Sequence, residues 1–229
     1  MRQVNEKMYM DLTSVYGMTE TSPGMTQTRV DDPFDVRCTT VGSEYEFTEV
    51  KILDAVTGEE CNVGDAGEMC CRGYNVMKGY YNNPIATAQV IDSNGFMHSG
   101  DLGVKDENGN FRITGRIKDI IIRGGENISP KEVEDYLYKM PGVKDVQVVA
   151  VASKRYGEDV GAFIIQKDGY DLNTQDVREF CKGHIAKYKT PRYVFIVDEF
   201  PMTGSGKIQK FRIREMALEL CEEQGVEIL

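Results

Sequence analysis

Histidine is scarce in this sequence, with only His98 and His184 among 229 residues. The six cysteines form no C-x-x-C pair, and no group of histidines and cysteines has the spacing of a zinc site along the chain. Cys70 and Cys71 are adjacent, so they are expected on opposite faces of a strand. The sequence therefore predicts reduced, structural thiols rather than a zinc centre.

Long apolar runs are also missing. The longest, Val146 to Ala152, contains Gln147 and is far shorter than the roughly 20 residues that span a bilayer. The first residues, Met1 to Glu6, do not form the apolar region of a signal peptide. We therefore expect a cytosolic protein without a transmembrane segment.

The chain also has no excess of basic residues. The net charge is −10 and the isoelectric point is near 4.8, which argues against a nucleic-acid partner because phosphate backbones are bound by dense basic surfaces. Lysines and arginines do gather late in the chain, from Lys182 to Arg214. That group could bind one phosphorylated ligand, or it could be an ordinary solvated surface.

The chain as a whole is 41% hydrophobic and 28% charged, so it can bury one good core or two small ones. A short helix is predicted over Glu6 to Leu12, and another over Pro84 to Val90. From Phe34 to Thr114 turn signals recur about every ten residues between β-rich runs. This region is predicted to form a small antiparallel β-sheet or barrel.

The pattern changes after Ile128, where helices alternate with strands. Ser129 to Glu132 reads as a capping box with proline at the first helical position. The later predicted elements are strands at Val143–Ala152, Val160–Lys167 and Arg192–Asp198, and helices from near Asn173 and from Gln209 to Glu223. The fold class is therefore α+β: a small antiparallel subdomain, then a compact domain with a mixed sheet and flanking helices.

Three short motifs carry possible chemistry. Thr19 and Glu20 follow an aromatic-glycine turn and could contact a phosphate and a divalent cation. Asp101 stands beside a glycine and could accept hydrogen bonds from ribose hydroxyls, or simply cap a turn. Lys207 ends a Gly-Ser-Gly-Lys loop that is not a phosphate-binding P-loop, because Pro201 and Ile208 replace required residues.

The order and spacing of the motifs are more specific than any one of them. The chain runs through Y-G-M-T-E, H-S-G-D, G-R-I-K-D-I-I-I-R-G-G-E-N-I-S-P-K-E-V-E, K-Y-K-T-P-R-Y and P-M-T-G-S-G-K-I-Q-K. This series resembles the C-terminal part of the AMP-forming acyl-CoA synthetases, in the adenylate-forming superfamily. The fatty-acid and medium-chain branch is the most similar.

The resemblance implies a nucleotide site. In it, Tyr16 stacks on adenine, Thr19 contacts the α-phosphate of ATP or AMP, and Glu20 binds Mg²⁺. It also implies that Asp101 and Arg116 hold the ribose hydroxyls.

A second set of roles concerns the end of the chain. By the same resemblance, Lys118 is the hinge of a small mobile domain, and Lys207 bridges carboxylate and phosphate oxygens during adenylation. Gly125 and Glu126 line the site where the pantetheine arm of coenzyme A enters for thiolation.

The implied domains are residues 1–117, the last part of the large adenylating domain, and residues 118–229, the mobile domain. The family's Ser/Thr/Gly-rich phosphate loop and acyl pocket are not in this sequence. We therefore expect an inactive chain unless an N-terminal half completes it for ATP, coenzyme A and a fatty acid. The alternative is a non-catalytic binding module, self-associating as a homo-oligomer through the surface left uncovered.

Overall fold

The computed structural model describes residues 1–223. Contacts divide the chain into two compact units, Met1–Ile117 and Lys118–Leu229. The first unit has two sheets and the second has one, and each unit has its own core. No helix in the described part of the chain combines the length and the apolar character needed to cross a membrane.

The first unit is built from short helices and two antiparallel sheets. Its helices are α1 (Arg2–Met8), α2 (Phe34–Thr39) and α3 (Pro84–Val90), with a 3₁₀ helix at Thr19–Thr21. A small sheet has the order β1 (Val15–Tyr16), β2 (Thr26–Gln27) and β3 (Ser43–Glu44). The larger sheet has the order β4 (Thr48–Leu53), β5 (Gly67–Gly73), β6 (Met97–Lys105) and β7 (Phe111–Arg116).

The larger sheet of this unit buries side chains on both faces. Because side chains alternate along a strand, Cys71 joins one buried cluster and Cys70 joins another. The first cluster consists of Met25, Val50, Ile52, Met69, Cys71 and Phe111. The second consists of Leu53, Cys70 and Phe96. The predicted opposite orientation of the two adjacent cysteines is therefore confirmed.

The second unit is a mixed sheet with helices. Its helices are α4 (Pro130–Leu137), α5 (Thr174–Cys181) and α6 (Lys210–Glu223), with 3₁₀ helices at Ile117–Asp119, at the boundary, and at Lys187–Lys189. Its strands are β8 (Ile121–Arg123), β9 (Glu126–Ile128), β10 (Val143–Ser153), β11 (Gly157–Gln166) and β12 (Tyr193–Ile196). The order is β10-β11-β8-β9, and β12 pairs parallel with β11.

Alternation along β10 and β11 gives the second unit two apolar layers. Val146 and Val148 pack with residues of α4 and α5, including Val133 and Cys181. On the opposite face, Val149, Val151, Phe163 and Phe195 of the sheet pack with Ile213 and Ala217 of α6. Because this strand pair is covered on both faces, its strands are nearly continuous apolar runs in the sequence.

The predicted α+β class is confirmed. For the first unit, the sequence did not distinguish between a sheet and a closed barrel. The larger sheet of this unit has four strands and does not close into a barrel. The first helix differs from the prediction: it spans Arg2–Met8 rather than Glu6–Leu12. It ends early because Tyr9 takes a left-handed conformation, with φ 55°, and donates its N–H to the carbonyl of Asn5.

Candidate active site

Tyr16, Asp101 and Arg116 meet at one edge of the first unit. Asp101 on β6 pairs directly with Arg116 on β7, so their side chains are neighbours. The Tyr16 hydroxyl donates to Asp101 Oδ2 at 2.7 Å, and Arg116 Nε lies 2.7 Å from Asp101 Oδ1. The fold thus brings together residues that are far apart in sequence, since Tyr16 and Asp101 are separated by 85 positions. Each side of the carboxylate faces a different polar partner.

The three side chains of this cluster differ in their burial and in their charge. Burial, and then the Asp101 carboxylate, raise the pKa of the Tyr16 hydroxyl well above its usual range, while a hydrogen bond with Ser99 opposes the rise. Tyr16 is therefore a neutral donor at physiological pH. The Arg116 side chain is 54% exposed, whereas that of Asp101 is 13% exposed. The cluster therefore presents a half-exposed guanidinium above a nearly buried carboxylate.

Glu20 is held by a residue that the sequence did not single out. The Tyr80 hydroxyl donates to Glu20 Oε1 at 2.8 Å, and the Met77 N–H donates to the Glu20 carbonyl at 2.8 Å. The bond to Glu20 raises the pKa of Tyr80, because ionisation would place two negative charges together. Tyr80 is 60 positions from Glu20, so no local signal could have connected them.

The 3₁₀ helix that carries Glu20 displays its polar groups outward. Thr19 is exposed and Glu20 is partly exposed, while Thr21 is buried with its hydroxyl bonded to the backbone of Met18. A carboxylate oxygen is the type of ligand that Mg²⁺ prefers, so Glu20 fits the role of a magnesium ligand by its donor chemistry.

The β8–β9 hairpin carries two more predicted residues. Gly124 and Gly125 form its two-residue turn, with φ of 59° and 92°, between the paired residues Arg123 and Glu126. Positive φ at both central positions is the type I′ geometry, which favours glycine. A Cβ atom on Gly125 would meet nothing within 4 Å. The backbone conformation, rather than lack of space inside this unit, therefore requires glycine there.

Lys207 and Lys118 are both exposed residues of the second unit. The Lys207 N–H donates to Thr203 Oγ1 at 3.1 Å, and the Thr203 N–H donates to the Lys207 carbonyl at 2.8 Å. These bonds define the backbone of the loop while its lysine side chain faces solvent. Lys118 lies within the 3₁₀ helix Ile117–Asp119, at the first residue of the second unit.

Two family models match successive parts of the chain. The AMP-binding enzyme model matches residues 1–81, and the AMP-binding enzyme C-terminal domain model matches residues 132–207. The chain belongs to the AMP-binding enzyme family. The first match contains Tyr16, Thr19 and Glu20, and the second contains Lys207. The remaining predicted site residues lie between the matches.

Relatives of this AMP-binding enzyme chain are acyl-CoA synthetases. YngI of Bacillus subtilis (strain 168), named as an acyl-CoA synthetase, is 50% identical over 221 residues, which are 96% of this chain and 40% of that protein. The mitochondrial medium-chain acyl-CoA ligase ACSF2 of Rattus norvegicus is 42% identical over 93% of this chain and 35% of its own length. The chain thus spans 40% or less of these two curated relatives.

Solved structures agree with the family assignment. The crystal structure of ATP-bound MatB from Rhodopseudomonas palustris has a TM-score of 0.89 and 34% identity, over 96% of this chain and 43% of that one. The family match and the fold of this AMP-binding enzyme chain therefore agree.

Proposed function

We propose that this chain is the C-terminal part of an ATP-dependent acyl-CoA synthetase. The complete reaction joins a carboxylate to ATP, releasing pyrophosphate and forming acyl-adenylate. The thiol of coenzyme A then displaces AMP to give acyl-CoA. The observation that carries the proposal is the Tyr16–Asp101–Arg116 cluster, since it offers acceptors and donors for a nucleoside at one surface.

The roles in nucleotide binding follow from hydrogen-bond chemistry. The Asp101 carboxylate can accept bonds from vicinal ribose hydroxyls, and the exposed Arg116 guanidinium can donate to the same sugar. The Tyr16 hydroxyl is already committed to Asp101, which fixes the orientation of the ring for contact with the base. Thr19 is proposed to contact the α-phosphate.

Mg²⁺, when bound, offsets the negative charge of the phosphates. Glu20 is the residue proposed to hold it, and Tyr80 orients the Glu20 carboxylate through a 2.8 Å bond to one oxygen. Thr19 precedes Glu20 on the same 3₁₀ helix, so a phosphate contact and a metal ligand are offered from one short segment.

The second unit is proposed to supply the two half-reactions with different residues. Adenylation brings a carboxylate towards a phosphate, and Lys207 can offset both negative charges as a point cation on an exposed loop. Thiolation instead uses the exposed β8–β9 turn, with Gly125 and Glu126 beside the pantetheine arm. Lys118 is the proposed hinge between these states.

Because the chain spans 40% or less of YngI and ACSF2, we propose that it does not complete turnover by itself. The test is incubation with ATP, Mg²⁺, coenzyme A and a series of fatty acids, followed by mass spectrometry for acyl-adenylate and acyl-CoA. We expect neither product. Sustained formation of either one would contradict this part of the proposal.

Nucleotide binding can be tested on the chain alone. Calorimetric titration with AMP should give affinity roughly tenfold or more weaker in Asp101→Asn, because the lost bonds involve a charged acceptor. Glu107→Gln is the matched control, as this exposed acid lies in the turn between β6 and β7 of the same unit. Equal affinity in both variants would reject the ribose role of Asp101.

A non-catalytic, self-associating module is the second candidate. It is favoured by the exposed apolar residues at and just after α1, where Met8 is 61% and Tyr9 91% exposed and no helix residue is buried. Light scattering across a concentration series separates the candidates. A concentration-dependent increase in mass that Tyr9→Ser abolishes would support association through this surface, whereas a monomer would reject it.

A further inference from the structure

Three different metal-binding side chains converge on one face of the larger sheet in the first unit. Glu68 and Cys70 are two positions apart on β5, so both point to the same face. His98 on β6 pairs directly with Cys70. The sequence offers no metal-binding spacing here, because the histidine is 28 positions from the cysteine and reaches it only across the strand pair.

The donor atoms are close to one another. His98 Nδ1 lies 3.4 Å from Cys70 Sγ and 2.8 Å from Glu68 Oε2, and all three donors lie within 4.8 Å of one another. In a tetrahedral zinc site, bond lengths of about 2.3 Å to sulfur and about 2.0 Å to nitrogen separate these two ligands by roughly 3.5 Å. The Cys70–His98 distance therefore already matches, and the Glu68–His98 pair has to open by roughly half an ångström.

We propose that Glu68, Cys70 and His98 bind one divalent cation of the zinc class through Oε2, Sγ and Nδ1. Sulfur, imidazole nitrogen and carboxylate oxygen together suit zinc better than magnesium or calcium, which take oxygen ligands. A thiolate and a carboxylate balance the two positive charges. Binding releases the Cys70 thiol proton to solvent. It also displaces the Nδ1 proton that Glu68 Oε2 accepts in the metal-free chain, so the bound imidazole carries its proton on Nε2.

The residues behind the ligands are arranged to orient them. Glu68 Oε1 accepts the Gly100 N–H at 2.8 Å, which leaves Oε2 directed at His98. Asp92 Oδ2 lies 3.8 Å from His98 Nε2, on the far side of the ring from Cys70. Metal-binding histidines commonly present their second nitrogen to a carboxylate in this way.

Asp92 is itself held in place by its backbone neighbours. Its Oδ1 accepts the N–H groups of Asn94 and Phe96 at 2.9 and 2.8 Å. The supporting carboxylate is therefore fixed before any cation arrives, as expected for a built site.

Access and local geometry also favour a cation. The His98 side chain is 30% exposed, so ions can reach the cluster from solvent and a water molecule can complete the coordination. The pairing of β5 with β6 is irregular between Glu68 and Cys70. Such irregularities commonly redirect a side chain.

A nucleophilic role for the thiol fits less well. Cys70 is fully buried, and burial raises the pKa of its thiol far above the usual range, with Glu68 adding to the rise. A catalytic cysteine needs the opposite shift. A bound cation would instead cross-link β5 to β6 at His98, which lies three residues before Asp101 on β6.

Cobalt is the probe for the first test. The chain is treated with a chelator, desalted and titrated with Co²⁺ while its absorption spectrum is recorded. We expect one equivalent to produce a sulfur-to-cobalt charge-transfer band in the near ultraviolet, together with the visible bands of tetrahedral cobalt. The absence of a charge-transfer band would overturn the proposal.

Two neighbouring cysteines give matched variants. Cys70→Ser should abolish the charge-transfer band, whereas Cys71→Ser should retain it, because Cys71 is equally buried but faces the other way. A band that survives in Cys70→Ser, or that disappears in Cys71→Ser while the variant remains folded by circular dichroism, would overturn the assignment. If Cys70→Ser does not fold, His98→Gln is used in its place, because His98 is partly exposed. The same charge-transfer band then decides the outcome.

Affinity provides a second measurement. Displacement of cobalt by Zn²⁺ gives the zinc affinity, and Asp92→Asn should weaken it by about 10–100-fold, as for other supporting carboxylates. Zn²⁺ should also raise the melting temperature of the wild-type chain and not that of His98→Gln. An equal zinc-induced shift in both proteins would reject the site.

Discussion

Each unit of this chain buries an aspartate beside arginine, and the two aspartates have different surroundings. In the second unit Asp159 is fully buried, with Arg123 Nε 2.7 Å from Oδ1 and Arg192 Nη1 3.4 Å from Oδ2. In the first unit Asp101 lies at the end of a strand pair beside Tyr16 and Arg116. The same chemical group is enclosed in one unit and near the surface in the other.

The exposure of the arginines explains the difference in role. The Arg123 side chain is 19% exposed, and its guanidinium also lies over the ring of Tyr156, 4.4 Å from the centroid. The Arg116 side chain is more than half exposed and can turn towards a ligand. An enclosed ion pair stabilises the fold, while an ion pair that opens to solvent retains donors for binding.

The largest difference in stability between the two units should appear when the charge of each aspartate is removed. Asp159→Asn leaves the mostly buried Arg123 without its counter-ion, so we expect a loss of about 3–5 kcal/mol in the free energy of unfolding. Asp101→Asn should cost about 1 kcal/mol or less, because the partner arginine is hydrated.

Urea denaturation of both variants measures this difference, with Glu107→Gln as the neutral surface control. If Asp101→Asn were as destabilising as Asp159→Asn, both ion pairs would be structural. The nucleotide role of Asp101 would then lose its physical basis.

A smaller effect should appear in the second unit at alkaline pH. Burial raises the pKa of the Cys181 thiol to about 11, from 9.0. The fold thus favours the neutral thiol, and this contribution to stability is fully present below pH 9 and is lost as the pH rises through 11.

Cys181→Ser removes the titrating group from the core of the second unit. The decline in stability between pH 9 and pH 11 should therefore be shallower in this variant. Hydrogen exchange resolved by peptide assigns the change to a unit. A change confined to peptides of the first unit would contradict the prediction.

The smallest effects compare two helix caps. Asn173 Oδ1 accepts the N–H groups of Gln175 and Asp176 at the start of α5, whereas Asn83 Oδ1 accepts the Ala86 N–H at the start of α3. Each substitution to alanine should cost about 1 kcal/mol, with the larger loss at Asn173. Denaturation midpoints test this order, and a larger loss in Asn83→Ala would reverse it.

Local patterns predicted most of the fold. The helix over Pro84–Val90 is confirmed at the predicted bounds, because proline at the first turn and the Asn83 cap act within a few residues. The apolar spacing of Val133 and Leu137 likewise predicted the buried face of α4. Strands β10, β11 and β12 were predicted to within a few residues of their ends because both faces of the sheet are apolar, whereas β9 was not predicted.

The capping box at Ser129 did not form as predicted. Ser129 occupies the N-cap of α4, but its side chain makes no capping hydrogen bond. Glu132, the other half of the motif, accepts two hydrogen bonds from Lys189 Nζ, at 2.6 and 2.7 Å. A cation 57 positions away in sequence competes for the carboxylate, and local sequence rules cannot anticipate it.

The candidate sites also include some residues that the sequence predicted and others that it did not. Tyr16, Asp101 and Arg116 were predicted from motifs, through the resemblance to a family, but their common geometry appears only when β1, β6 and β7 come together. Tyr80 and the cluster of Glu68, Cys70 and His98 had no local signal at all. Each of these contacts forms between segments that are far apart in the chain.

The sequence by itself determined the α+β class, the helices and the strands β10 to β12 of the second unit, and the order of the motifs, because these depend on periodicity, turn residues and short-range spacing. Only the tertiary structure decided which aspartate is enclosed, which tyrosine holds Glu20 and which cysteine meets a histidine. Those outcomes depend on strand register and burial, and both are set by contacts between residues that are distant in sequence.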